Sequence, residues 1–219
     1  MNLNHLPIAL ALLAGLALPQ AEAAIVYDNT AADSLQTIFF GDGPYSEIGD
    51  SIVLGGSERR LTDATVQFYN SGGEGTFDAT LQFYLAGVPV GAPWGSGYSV
   101  TGILAPEFGV FDVTFSNLAL DFPADDLVFT ISIGNADSVL YLGLNLFDPP
   151  FSPGTSDTSF LIVADDQGQF STPAAGDYSN PYFRLQAVSA DTSAVPEPNT
   201  WALAATGAAL LAALRARRG

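Results

Sequence analysis

Carboxylates are the only side chains with which the middle of this 219-residue sequence could do chemistry. Its one histidine and one methionine, His5 and Met1, stand at the extreme N-terminus, and it has neither lysine nor cysteine. Nucleophilic triads need His, thiol enzymes need Cys, and Schiff bases need Lys, so none of these can operate beyond residue 23. A glycosidase-type carboxylate pair survives, with Glu47, Glu58, Glu74 and Glu107 as the available glutamates. Nothing in their spacing singles out a pair, and the expectation is a protein without catalysis. An all-oxygen metal site suits calcium rather than zinc. Asp42, Glu47 and Asp50 in the stretch 42–50, and Asp165 and Asp166 before Gln167-Gly168, place such oxygens on glycine-containing loops. No EF-hand loop is present, and Asp as a turn former is the simpler explanation. No other cofactor is expected. Trp94 and Tyr98, in Trp94-Gly95-Ser96-Gly97-Tyr98, could give a sugar ring a flat apolar face, although a glycine-flanked aromatic more often plugs a core.

Charge narrows the partners. Between residues 24 and 194 lie 21 of the 23 acidic residues, all but Glu22 and Glu197, against Arg59, Arg60 and Arg184, which leaves that stretch near −18. Phosphate binding needs clustered Lys or Arg, so nucleic acid is excluded as a partner.

The elements that must position these groups read as strands. Arg60 to Tyr69 and Thr76 to Leu85 alternate apolar with polar and are joined by Asn70-Ser71-Gly72-Gly73-Glu74-Gly75, which predicts a hairpin. Further strands are expected over 25–27, 35–40, 51–54, 97–104, 110–115, 127–133, 139–147, 159–163 and 182–188, each bounded by Gly, Pro, Asn or Asp. The stretches 147–157 and 165–181 read as loops pinned by Phe151, Phe170 and Tyr178. No helical stripe occurs between residues 24 and 190. The predicted fold is all-β, an antiparallel, jelly-roll-like β-sandwich with phenylalanine as the usual inward residue. Its length suits one domain, and without cysteine the core must suffice without disulfides.

Both ends are hydrophobic for a different reason. Residues 1–23 have an apolar core from Leu6 to Leu18, a Pro19 break and Ala21-Glu22-Ala23 as an A-x-A site, predicting a signal helix cleaved before Ala24. After a short linker, 191–194, comes Val195-Pro196-Glu197-Pro198-Asn199, in which two prolines keep Glu197 extended. An apolar run from Trp201 to Leu214 follows, predicting a transmembrane helix, with Arg215, Arg217 and Arg218 as a cytoplasmic anchor. At 1.5 Å per residue the run spans about 21 Å, short of a ~30 Å hydrocarbon core, which suits passage better than permanent residence.

Pro196, Glu197 and Pro198, the apolar helix and the arginine cluster together resemble the PEP-CTERM sorting signal over residues 195–219. The resemblance implies processing by exosortase, a membrane-embedded transpeptidase, in organisms that make exopolysaccharide. The body, through Ile25-Val26-Tyr27-Asp28-Asn29, Leu61 to Val66, Leu118-Ala119-Leu120 and Leu127-Val128-Phe129, looks like the choice-of-anchor ectodomains, which implies a displayed β-sandwich without a catalytic motif. The expected function is that of an exported surface or matrix protein, held transiently at the inner membrane and associated with exopolysaccharide and biofilm. A carbohydrate-binding module using Trp94, Tyr98 and calcium is the alternative, and a secreted glycosidase the third.

Overall fold

The computed structural model describes residues 22–41, 46–85, 93–150, 152–156, 162–164, 170–171 and 179–190. The expected signal helix, Ala21, Asp42, Phe151, Asp165, Asp166, Tyr178 and the whole tail with Pro196–Pro198, Trp201 and Arg215–Arg218 lie outside the described residues. Residues Ala23–Ala190 form a compact unit. Within it run β1 (Ala24–Asp28), β2 (Asp33–Phe39), β3 (Glu47–Val53), β4 (Arg60–Asn70), β5 (Gly75–Leu85), β6 (Tyr98–Ala105) and β7 (Gly109–Asp121). They are followed by β8 (Asp126–Gly134), β9 (Leu142–Phe147), β10 (Thr155–Ser156), β11 (Ile162–Ala164), β12 (Phe170–Ser171), β13 (Asn180–Pro181) and β14 (Phe183–Val188). No helix occurs among the described residues, and every strand pairing there is antiparallel.

Two seven-stranded sheets result. In the first, β4 is the spine: β7 runs along one edge, and β14 and then β9 share the other. β1 extends this sheet beyond β14, while β2 and β13 pair with β9. In the second, the order is β12-β11-β3-β8-β5-β6, with β10 also on β3. The alternation read from the sequence is what buries one face of the long strands β4 and β5. Along β4, Leu61, Ala64, Val66 and Phe68 turn inward, and along β5 Phe77, Ala79, Leu81 and Phe83 do. The three-residue step from Leu61 to Ala64 comes from a bulge. Leu61 pairs Leu120 and Asp63 pairs Ser116, so β7 carries extra residues, with Asn117 and Ala119 at positive φ and Leu118 still buried.

The first correction concerns β4 and β5, which do not form a hairpin. β4 lies in the first sheet and β5 in the second, so residues 71–74 arch between the layers and Phe68 meets Phe77 edge-on at 5.3 Å across the core. Asn70, fully buried at the foot of the arch, explains the geometry. Its Nδ2 donates to the carbonyls of Gly73 (2.7 Å) and Pro106 (2.8 Å), and its Oδ1 accepts from the backbone N–H of Gly72 (2.9 Å) and Tyr141 (3.1 Å). Backbone groups that a hairpin would pair are satisfied by one side chain instead. Gly72 is required there, since a Cβ would stand 2.2 Å from the Val139 carbonyl oxygen.

Strand extents need correcting too. β3 begins at Glu47 rather than at residue 51, β7 continues through its bulge to Asp121, and β9 starts only at Leu142. The stretches expected as plain loops contribute β10, β12 and β13, two residues each, because a short bridge to β3, β11 or β9 needs no hydrophobic pattern of its own.

Candidate functional site

Trp94 and Tyr98 sit where the chain enters β6, and both are tied to core phenylalanines. Trp94 meets Phe122 edge-on at 6.3 Å, Phe122 meets Phe83 at 6.4 Å, and Phe83 meets Tyr98 at 6.3 Å. The Trp94 indole N–H donates to the Asp121 carbonyl at 3.2 Å, and burial raises the pKa of the Tyr98 hydroxyl. This edge-to-face series packs the two rings as plugs on the sandwich, although Trp94 remains 36 % exposed.

The candidate calcium residues that are described, Glu47 and Asp50, share β3 but part ways. Glu47 accepts from Thr130 Oγ1 at 2.6 Å and from Tyr84 OH at 3.3 Å, and burial together with the Glu47 charge pushes the Tyr84 hydroxyl up to about 12. Asp50 falls between Ile48 and Ile52 in the strand alternation, is fully buried, and accepts from Ser51 N at 2.7 Å. No group of three metal-ligating side chains occurs among the described residues. The four glutamates stand apart in the chain's architecture: Glu47 on β3, Glu58 between β3 and β4, Glu74 in the arch and Glu107 between β6 and β7. Hydrogen bonds from its own backbone N–H and that of Ser57 hold Glu58 below the usual carboxylate range. Ala23 is exposed, and Ala24, the expected head of the mature chain, begins β1 opposite Ala187.

The feature that sequence reasoning missed is a cleft of about 670 Å³ between the β1–β2 turn and the segment after β9. Ala31 and Ala32 form one lip and Pro149 and Pro150 the other, with Asp28, Asp148, Ser152, Thr155 and Ser156 as the polar lining. The lips are joined by backbone bonds, Asp148 N to Ala32 O at 2.9 Å and Asp28 N to Pro153 O at 3.3 Å. Beside them Gly154 has φ +74° and leaves no room for a Cβ, which would lie 2.7 Å from the Val53 carbonyl oxygen. Ser156 is fixed from beneath: the Tyr27 hydroxyl donates to its Oγ at 3.0 Å, and Asn180 Nδ2 donates to the same oxygen. Tyr27 and Asn180 are fully buried. Burial raises the pKa of the Tyr27 hydroxyl far above its ordinary value, and the Asp50 charge adds to this, so it remains a donor. Asp28 is neutralised by Arg184, Nε to Oδ2 at 2.9 Å. Among the described residues Asp148 takes only a long contact, 3.5 Å, from Ser179 Oγ, and no cation there pairs with it. Asp50 facing inward between two isoleucines was the one sequence signal that this end of the core is polar.

A different arrangement covers the outer face of the first sheet. Thr37 Oγ1 donates to Asn145 Oδ1, Asn145 Nδ2 to Gln67 Oε1, and Gln67 Nε2 to Asp112 Oδ1, at 2.9, 3.0 and 3.0 Å. The relay stitches β2, β9, β4 and β7 side by side.

The body's fold alone assigns no activity. In comparison with known families, the model described as the PEP-CTERM protein-sorting motif matches residues 194–218. No curated protein and no solved structure matches the chain. The chain thus carries a PEP-CTERM protein-sorting motif behind an all-β body, and the motif implies a protein targeted to exosortase, exported, and processed at the membrane before release to the surface.

Proposed function

We propose that this is a non-enzymatic surface or extracellular-matrix protein whose β body works outside the cell, within the exopolysaccharide layer. It would be held transiently at the inner membrane by the run Trp201–Leu214 and then cut near Pro196–Pro198. The observation that carries this reading is the sorting motif at residues 194–218, placed behind a folded unit that closes at Ala190. A non-catalytic role is supported by the chemistry available. From residue 24 onward the chain has no His, Cys or Lys, and Glu47 is held by buried Thr130 and half-buried Tyr84. Saccharide recognition through Trp94 and Tyr98 has less support, because both rings pack edge-on against the core and the Trp94 N–H is already used.

Mass spectrometry of the mature protein from its native host tests the proposal. The expected product begins at Ala24 and ends near Pro196–Pro198, without the arginine cluster. A mature form that keeps Arg215 to Gly219 would overturn it.

A further inference from the structure

We propose that the cleft above Ser156 binds a neutral saccharide, with Asp148 accepting from sugar hydroxyls and Ser152, Thr155 and Ser156 donating to them. Its volume of about 670 Å³ lies within the range of pre-formed ligand sites, roughly 300–1,000 Å³. The lining has the mixture such sites use: apolar walls of Ala31, Ala32, Pro149 and Pro150 with a few convergent polar groups.

The hydrogen-bonding capacity left over selects the ligand. Ser156 Oγ already accepts from Tyr27 and from Asn180, so both lone pairs are taken and its proton is what remains to give. Asp148 is acceptor only and has no cationic partner among the described residues. A ligand that both gives and takes hydrogen bonds, with C–H faces to lie on proline rings, satisfies both, and a pyranose is such a ligand. Anionic ligands are disfavoured, because Arg184, the cation nearest the cleft, is committed to Asp28 and the body carries a large negative charge.

The floor supplies an independent observation. Tyr27 and Asn180 are fully buried polar groups at this end of the core, and Asn180 Oδ1 has no hydrogen-bond partner among the described residues. Burying such groups costs stability unless they are fully paired, so their place beneath the cleft points to recognition rather than to folding. The inference stands on the cleft itself and holds whether or not the tail is cut.

The test uses the full-length chain in a detergent without a sugar headgroup. Saturation-transfer NMR and calorimetry would be run with glucose, galactose and mannose, with their neutral β- and α-linked trimers, with trigalacturonate and with spermidine. Expected is binding of one or more neutral sugars. Asp148→Ala should weaken it about ten- to a hundred-fold, the value of a hydrogen bond to a charged group. Ala32→Trp, a change at an exposed lip, should abolish it while the urea midpoint stays in place. No binding by any neutral probe, binding unchanged in both variants, or binding of spermidine or trigalacturonate alone would each overturn the proposal.

Discussion

The ring of Phe129 lies flat on that of Phe183, centroids 3.8 Å apart and planes within 8°, although the two residues belong to opposite sheets. β8 supplies one ring and β14 the other, so this stack joins the layers directly, and Tyr27 leans on Phe183 from β1 at 6.1 Å. Phe183→Ala should therefore cost about 3–5 kcal/mol, the range for a buried Phe whose cavity cannot collapse. Phe183→Leu should cost less than about half of that. Urea denaturation at unchanged m reads both, and a loss below ~1 kcal/mol for the alanine variant would show that the stack is not what joins the sheets.

Asn70 governs the arch between the layers. Asn70→Ala strips partners from two backbone N–H groups and two carbonyls at once, and should destabilise by about 2–4 kcal/mol. Gly72→Ala should act in the same direction because its Cβ has no space against Val139. Limited proteolysis within residues 71–74 should accelerate in both variants. Stability within ~0.5 kcal/mol of the parent in Asn70→Ala would contradict the role given to its side chain.

The Asp28–Arg184 pair should appear in the acid limb of stability. Burial raises the Asp28 pKa, but the hydrogen bonds from Thr30 and the Arg184 guanidinium outweigh it, so the carboxyl is held below its ordinary 3.8. A depressed folded-state pKa gives stability that is present above about pH 4 and is lost as the pH falls through the folded value. Urea midpoints taken from pH 7 to 2 should fall at the acid end, and Asp28→Asn should make that fall shallower. An identical acid limb in the variant would refute this.

Glu197 belongs to the residues matched by the sorting motif. In the native host Glu197→Ala should leave the full-length form accumulating while the parent protein matures, as read by immunoblot of cell and medium fractions. Equal maturation of both would remove Glu197 from recognition.

What the sequence determined by itself was one-dimensional chemistry. The tail motif is a contiguous string, so Pro196, Glu197, Pro198, the apolar run and the arginines could be read in order. The absence of His, Cys and Lys from the body needed only counting. Period-two alternation showed which side of β4 and β5 would be buried, and Phe68, Phe77 and Phe83 do face the core.

Alternation does not say which strand lies alongside. β4 and β5 therefore looked like a hairpin until Asn70 and the arch placed them in opposite sheets. Nor could the sequence assemble the cleft. Tyr27 and Ser156 stand 129 residues apart, and Ser156 and Asn180 another 24, and each is unremarkable beside its own neighbours. Among the described strands only β5–β6 and β11–β12 are both consecutive and paired, so nearly every lateral partner comes from a distant stretch of chain. The tertiary structure alone decided those pairings, because a backbone hydrogen bond has the same chemistry at every residue and only the packing of side chains between the sheets selects one register over another.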